Sequence, residues 1–306
     1  MRFMVRTATQ AFLFMLGLLA VEPASATTFT LLPAGSPLIS TVTTTPQVLY
    51  SAEITYNNGD ILQAISELEV NNDNDDTTAH VYAKVVLGTS SSDTTGSLLL
   101  GEANARVIRD PNGHHGVRVK GAITQLGTSG SQQTGYVNVV VWADASLDVV
   151  ANNGMLQGMV ITPSTGATFT VYDSGHGSEL LTSLTGDNTF RPLYSVNVGD
   201  LEANDILIVF SEGQLQASTV SGKQRLTAHV LRATTASGTG GTGIDQPNAL
   251  TITSTDLIGT LAKVAVHKVQ SATTRTYVNF LVQSTVDMTI SPDTGRLEVL
   301  KIRPAS

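Results

Sequence analysis

The chain has 306 residues, no cysteine, 5% aromatic residues and a formal net charge of -8 at pH 7. The absence of cysteine excludes disulfides and thiol chemistry, so burial and hydrogen bonding must hold the fold. The acidic balance, with basic residues scattered along the chain, disfavours nucleic acid or an anionic membrane as partner. A chain of this length exceeds the usual single core and favours two domains.

The N-terminal segment has the pattern of a secretory signal peptide. Arg2 and Arg6 precede an apolar run at 11–21, and small residues follow that end at Ala26. A basic start, a short apolar core and an A-x-A site together predict cleavage. The run is shorter than the roughly 20 apolar residues that a membrane span needs. We therefore expect a signal peptide at 1–26 and a mature protein that is secreted, extracellular or periplasmic, without a transmembrane segment.

Short sequence matches recur in the same order along the two halves of the mature chain. They include Thr-Phe-Thr at 28–30 and 168–170, Leu-Tyr-Ser at 49–51 and 193–195, Asp-Ile-Leu at 60–62 and 205–207, Thr-Ala-His-Val at 78–81 and 227–230, and Tyr-Val-Asn at 136–138 and 277–279. One short match is easily accidental, but several collinear ones indicate an internal duplication. We predict repeat 1 at 27–164 and repeat 2 at 165–306, joined with almost no linker and packed as a stiff tandem.

Both repeats have the sequence pattern of an all-β fold. Runs rich in β-branched residues are bounded by Gly, Asn, Asp, Ser and Thr clusters, as at 81–87, 116–126, 137–142 and 261–269. The segment at 61–68 would also fit one face of a helix, but its counterpart at 205–210 is a continuous β-type run. Each repeat is therefore predicted to be a β-sandwich of jelly-roll type. The pattern leaves the strand order, and the choice between a sandwich and a closed barrel, open.

The sequence contains none of the common catalytic motifs. There is no G-x-S-x-G nucleophile elbow, no H-E-x-x-H zinc motif and no cysteine nucleophile. None of the six histidines lies three or four residues from another, so no helical metal pair can form. We therefore expect a protein that is not an enzyme and that needs no cofactor, unless calcium serves as one.

Repeat 1 carries a set of side chains that are candidates for ligand binding. They are His80, Tyr82, Tyr136, Asn138 and Trp142. Strand alternation places His80 and Tyr82, with Lys84, together on one outward face of their strand, and it places Tyr136, Asn138 and Trp142 together on one face of theirs. An aromatic platform with an amide beside it can stack on a sugar and hydrogen-bond it. Repeat 2 matches only the histidine and the Tyr-x-Asn pair, at His229 and 277–279, so a structural role is the alternative for those residues.

An acidic stretch at 71–76, Asn-Asn-Asp-Asn-Asp-Asp, is a candidate calcium site. Asp73, Asp75 and Asp76 offer the closely spaced carboxylate oxygens that calcium prefers. However, the glycine and the distant glutamate of an EF-hand are absent, and repeat 2 has no acidic residue in the matching region at 217–223. The alternative is an exposed polar hairpin turn.

These features favour a secreted, non-catalytic structural or adhesive protein of the cell surface or extracellular matrix. Export, the stiff tandem and the Ser/Thr/Gly-rich loops support that hypothesis, with other surface proteins or further copies of the chain as partners. A tandem carbohydrate-binding module, with a polysaccharide as partner, is the first alternative. A sandwich-fold polysaccharide-active enzyme is the second, because fold alone does not decide function.

Overall fold

The structure is a computed structural model that describes residues 28–32, 36–71, 79–100, 106–108, 115–127, 132–149, 155–163, 166–175, 178–252, 258–291 and 295–304. Within these ranges the chain forms strands and turns and contains no helix, which confirms the predicted all-β class. Accordingly, the described residues include no helix that could cross a membrane.

The first half of the chain forms two antiparallel sheets. Their strands are β1 (Thr28–Leu31), β2 (Thr41–Val42), β3 (Gln47–Tyr56), β4 (Ile61–Asn71), β5 (Ala79–Gly88), β6 (Ser97–Leu100), β7 (Arg106–Ile108), β8 (His115–Gln125), β9 (Gln133–Ala143), β10 (Leu147–Val149) and β11 (Met155–Thr162). Sheet A has the order β1-β11-β4-β10-β2, with β8 on the other edge of β4. Sheet B has the order β3-β9-β5-β6, and β7 also pairs with β5.

The second half forms two more antiparallel sheets with the same connections. Their strands are β12 (Thr168–Asp173), β13 (Ser183–Leu184), β14 (Arg191–Leu201), β15 (Ile206–Ala217), β16 (Gln224–Ala233), β17 (Thr242–Gly243), β18 (Asn248–Ile252), β19 (Ile258–Lys268), β20 (Thr273–Ser284), β21 (Met288–Ile290) and β22 (Arg296–Arg303). Sheet C has the order β12-β22-β15-β21-β13 with β19 on β15, and sheet D has the order β14-β20-β16-β17 with β18 on β16. Each strand of sheets A and B thus has a counterpart eleven strands later in sheets C and D.

In each half the chain crosses repeatedly between two facing sheets. Strands β3, β5 and β9 lie in sheet B, whereas β4, β8 and β11, which alternate with them along the chain, lie in sheet A. The order β1-β11-β4-β8 therefore faces the order β3-β9-β5-β7, which is the arrangement of a jelly-roll sandwich. The observed strand order agrees with the predicted fold type.

Apolar side chains form three separate buried layers between the four sheets. One layer lies between sheets A and B, and a second lies between sheets C and D. The third joins sheet A to sheet C and includes Ile61, Ile65, Ile123, Met159, Ile161, Ile208, Phe210, Leu300 and Ile302. The sheets are therefore stacked in the order B, A, C, D, with A and C covered on both faces.

The residue types of strand β4 reflect its position between two buried layers. Leu62 and Leu68 point into the layer between sheets A and B, whereas Ile61 and Ile65 point toward sheet C. A strand that is buried on both faces has apolar residues on both, so the alternating pattern of a half-exposed strand is lost. This double burial explains why the segment at 61–68 also fitted a helical face, and the structure confirms that it is a strand.

A buried polar contact accompanies the apolar layer between sheets A and C. Glu298 of β22 is fully buried, and its Oε2 accepts a hydrogen bond of 3.0 Å from the backbone N–H of Ile123. Ile123 belongs to β8, an edge strand of sheet A, whose outer side has no neighbouring strand. Glu298 therefore accepts a backbone N–H that has no partner within the sheet. The carboxylate also contacts the guanidinium of Arg296, which reaches Asp173 at 3.0 Å.

Candidate functional site

The outward face of sheet B brings the two predicted groups of residues together. Tyr82 lies directly opposite Trp142 in the pairing of β5 with β9, and Val86 lies opposite Asn138. Directly paired residues of antiparallel strands project to the same side of the sheet. Tyr82, Lys84, Tyr136 and Trp142 therefore share one face, the face that points away from sheet A.

An aromatic pair with a neighbouring cation lies on β5 and β9, the two middle strands of this sheet. The rings of Tyr82 and Trp142 are stacked, with centroids 5.3 Å apart and planes inclined by 5°. The Lys84 Nζ lies 5.9 Å from the centroid of the Trp142 ring. Trp142 packs against Val48, Val86 and Val140, which fix it on the sheet. We name Tyr82, Lys84 and Trp142 the aromatic cluster; ring faces of this kind stack on apolar ligand surfaces and attract cations.

Tyr136 lies further along the same face and is tied to an acidic neighbour. Its hydroxyl donates a hydrogen bond of 3.2 Å to Glu53 on β3. This hydrogen bond, together with the negative charge of Glu53, raises the pKa of Tyr136. The pair holds the phenol ring in place and leaves a carboxylate at the edge of the face.

Asn138 is fully buried and anchors a loop. Its Nδ2 donates hydrogen bonds of 2.9 Å to the carbonyl oxygens of Ser90 and Asp93, and its Oδ1 accepts one of 2.7 Å from the Ser51 hydroxyl. The loop that follows β5 is thereby fixed over the outward face of sheet B. Because the side chain is enclosed, it does not contribute to the accessible part of that face.

Asn279 repeats this arrangement in the second half. Its Nδ2 donates to the carbonyl oxygens of Thr235 at 3.1 Å and Gly238 at 2.9 Å, and its Oδ1 accepts from Ser195 at 2.7 Å. The Tyr-x-Asn match therefore marks a loop anchor that both halves use. The match between the two halves of the sequence identified the Tyr-x-Asn motif, but backbone carbonyls occur in every residue, so the sequence did not indicate which of them the asparagine binds.

The two Thr-Ala-His-Val segments do not occupy equivalent places, in contrast to the sequence-based expectation. Val86 pairs with the loop anchor Asn138, and Leu231 pairs with the anchor Asn279, so Val86 corresponds to Leu231. By the same register Lys84, and not His80, corresponds to His229. A shift of four residues preserves strand alternation, which is why the sequence match looked consistent.

The register also shows what replaces the aromatic cluster in the second half. Thr227 lies opposite Gln283, where the first half has Tyr82 opposite Trp142. His229, in the place of Lys84, is bonded through Nδ1 to Asp245 at 2.9 Å. Asp245 in turn contacts Lys263, which is almost fully buried. The aromatic cluster is thus specific to the first half.

The other predicted site residues, His80 and the three aspartates at 73–76, lie wholly or partly outside the described residues. The backbone of His80 lies in β5 opposite Val107, and its side chain lies outside the described set. Asp73, Asp75 and Asp76 fall in the segment 72–78, outside the described residues, so the calcium site stays a prediction. Among the side chains that the structure does describe, no three histidines or carboxylates are grouped to hold a metal ion.

Sequence reasoning missed two basic side chains inside the second sandwich. Arg232 on β16 follows the alternation of Ala228 and Val230, which point into the layer between sheets C and D. His267 on β19 lies between Ala265 and Val269, which point into the same layer. The strand alternation itself would have indicated these inward positions.

Comparisons with known proteins find structural likeness but no family. No protein-family model matches the chain, and no curated protein matches its sequence. Among solved structures, a chain of the T13 particle of infectious bursal disease virus is 12% identical, with 99% of this chain and 82% of that chain covered, at a TM-score of 0.26. The N-terminal CBM22-1-CBM22-2 tandem domain of Paenibacillus barcinonensis Xyn10C is 10% identical, with 94% and 99% covered, at a TM-score of 0.22. The T=3 Penaeus vannamei nodavirus particle is 9% identical, with 94% and 92% covered, at a TM-score of 0.19. Likeness at these TM-scores carries no inference about function.

Proposed function

We propose that this chain is a secreted, non-catalytic structural or adhesive protein of the cell surface or extracellular matrix. It would be exported by a signal peptide at 1–26 and consist of two jelly-roll copies, at 27–164 and 165–306, that arose by internal duplication. Two features support the duplication: the strand orders correspond throughout, and Asn138 and Asn279 make the same three hydrogen bonds.

The observation that carries the structural role is the junction between sheets A and C. An apolar layer and the bond from Ile123 to Glu298 connect the two halves face to face. Any hinge motion between the halves would expose this layer and separate a buried carboxylate from its donor, and both changes cost free energy. A stiff unit of this kind suits a protein that bears load or spaces surfaces.

The structural role is tested by the assembly and adhesion of the purified protein. We expect calorimetry to show one unfolding transition for both halves, because they share a buried layer. We expect light scattering and surface binding to show a defined homo-oligomer or attachment to a cell-surface component. Two independent transitions, or release of product from a polysaccharide, would contradict the proposal.

Carbohydrate binding by the first half is a second candidate, and the aromatic cluster is the observation that favours it. Tyr82 and Trp142 form a stacked, firmly supported pair on an outward sheet face, with Lys84 over the Trp142 ring. Sugars present apolar faces to aromatic rings and hydroxyls to charged groups. A ligand of this cluster would be a polysaccharide, preferably one with acidic groups that Lys84 can pair.

Replacing Trp142 by alanine is expected to weaken polysaccharide binding at least about tenfold, or roughly 1.4 kcal/mol, because the stacking surface is lost. Trp142 is the single tryptophan of the chain, so its fluorescence in the unmodified protein reports directly on the cluster. Calorimetry with neutral and acidic polysaccharides measures the affinity of the variant.

The matched control for this prediction is Phe190→Ala. Phe190 packs on the outward side of sheet D and belongs to the half that lacks the aromatic cluster. We expect this variant to keep full binding. Equal binding by Trp142→Ala and the unmodified protein would exclude the aromatic cluster as the sugar site.

A further inference from the structure

Arg232 and His267 lie on two strands of the second sandwich that contact each other, and the charge of Arg232 acts on His267. Arg232 belongs to β16, next to the short strand β17, and His267 belongs to β19, the edge strand of sheet C. Both side chains point between sheets C and D, beside apolar residues of that layer, and the buried Lys263, paired with Asp245, lies on the same face of β19. Two basic side chains therefore enter a largely apolar layer, where each would need a hydrogen-bond acceptor or an acidic partner.

The described part of the chain offers these groups no hydrogen-bond partner. The Nε and Nη1 of Arg232 and the Nε2 of His267 are shielded from solvent and unbonded. Burial lowers the pKa of Arg232 and, together with the nearby Arg232 charge, lowers the pKa of His267. Buried polar groups are almost always hydrogen-bonded, and buried charges are almost always paired.

Two described carboxylates beside these strands, Asp245 next to β16 and Asp205 next to the end of β19, are already engaged elsewhere. Asp245 bonds His229 and contacts Lys263. Asp205, which lies in the turn beside the end of β19, accepts bonds of 3.0 and 2.9 Å from Arg303. Neither acid is therefore available to neutralise Arg232.

We infer that Arg232 and His267 form a binding site for one small anion, an oxyanion or a carboxylate. A water molecule could accept a hydrogen bond from either group but would leave the charge of the partly buried guanidinium uncompensated. An anion supplies both the acceptor atoms and the opposite charge. A guanidinium binds planar or tetrahedral oxyanions through two parallel hydrogen bonds, and the imidazole can donate a third.

The first half lacks this pair and supplies a matched control. Strand register places Leu87 where the second half has Arg232, and Thr124 where it has His267. The double variant Arg232→Leu/His267→Thr therefore introduces side chains that the same fold already accommodates. Arg225→Ala, which removes an exposed arginine of the same strand, controls for net charge.

The test is calorimetric titration and thermal unfolding of the purified protein with phosphate, acetate and glucuronate, against chloride at equal ionic strength. We expect one site per chain and a midpoint rise of roughly 5 °C at about 100 times Kd. The double variant should lose at least tenfold in affinity and the whole midpoint shift, whereas Arg225→Ala should retain both. Binding of phosphate alone would identify an oxyanion site, and binding of acetate and glucuronate would identify a carboxylate site.

The proposal is overturned if none of the three anions binds the folded protein, which would mean that water alone solvates the two groups. It is also overturned if the double variant binds as tightly as the unmodified protein. Should the double variant fail to fold, Arg232→Gln keeps the side-chain length, and the same loss of affinity is required of it. The outcome is independent of adhesion and of polysaccharide binding at the aromatic cluster.

Discussion

Replacing Glu298 by alanine is expected to lower the free energy of unfolding by about 3–5 kcal/mol, the usual cost of removing one partner from a buried ion pair. The change removes one of the two acidic side chains that contact the buried Arg296, the other being Asp173. It also deprives the Ile123 N–H of its acceptor. Both losses fall at the junction between sheets A and C. Urea denaturation measures the loss, and calorimetry should resolve separate transitions for the two halves.

Two further variants define the origin of this effect. Glu298→Gln keeps an oxygen for the Ile123 N–H and should cost less than the alanine change. Glu202→Ala removes an exposed acid that pairs with Arg303, and surface pairs contribute about 0–1 kcal/mol. A loss from Glu298→Ala as small as that from Glu202→Ala would contradict a structural role for the buried carboxylate.

Removing the loop anchors is expected to cost about 2–3 kcal/mol in each half, because Asn138→Ala or Asn279→Ala leaves enclosed polar groups without partners. Two loop carbonyls and one serine hydroxyl lose their bonds at each site. Hydrogen exchange should increase in residues 89–96 for the first variant and in 234–241 for the second. The measurement therefore assigns each anchor to its own loop.

An exposed asparagine provides the control for the loop anchors. Asn197 accepts a single bond from the Gly199 N–H at the surface, and its replacement by alanine should cost less than about 1 kcal/mol. If Asn138→Ala is as mild as Asn197→Ala, or if exchange rises equally in both loops, the anchor assignment is wrong.

The all-β class was predictable because strand alternation and turn residues are local properties of sequence. The apolar pattern of β4 was visible too, but in the sequence it also fitted a helical face, and it did not indicate that the strand is covered on both sides. Sheet C covers the second face of β4, and its contact with sheet A depends on the path of the whole chain.

The candidate site was predictable only in part. Alternation placed Tyr82 and Trp142 on outward faces, but their stacking depends on the register between β5 and β9, which no local pattern fixes. The Thr-Ala-His-Val match misled because an even shift leaves a strand's two faces unchanged. Asn138 is buried because the loop after β5 folds back over it, and a comparison of sequences cannot place the carbonyl groups of that loop.

The contact between sheets A and C has the form of a self-complementary interface within a single chain. Corresponding strand positions meet there: Ile61 and Ile65 from one half, Ile206 and Phe210 from the other. In symmetric dimers the same patch on two subunits provides both sides of the contact. Either half produced without the other would present this patch to water, and two identical halves are expected to pair through it.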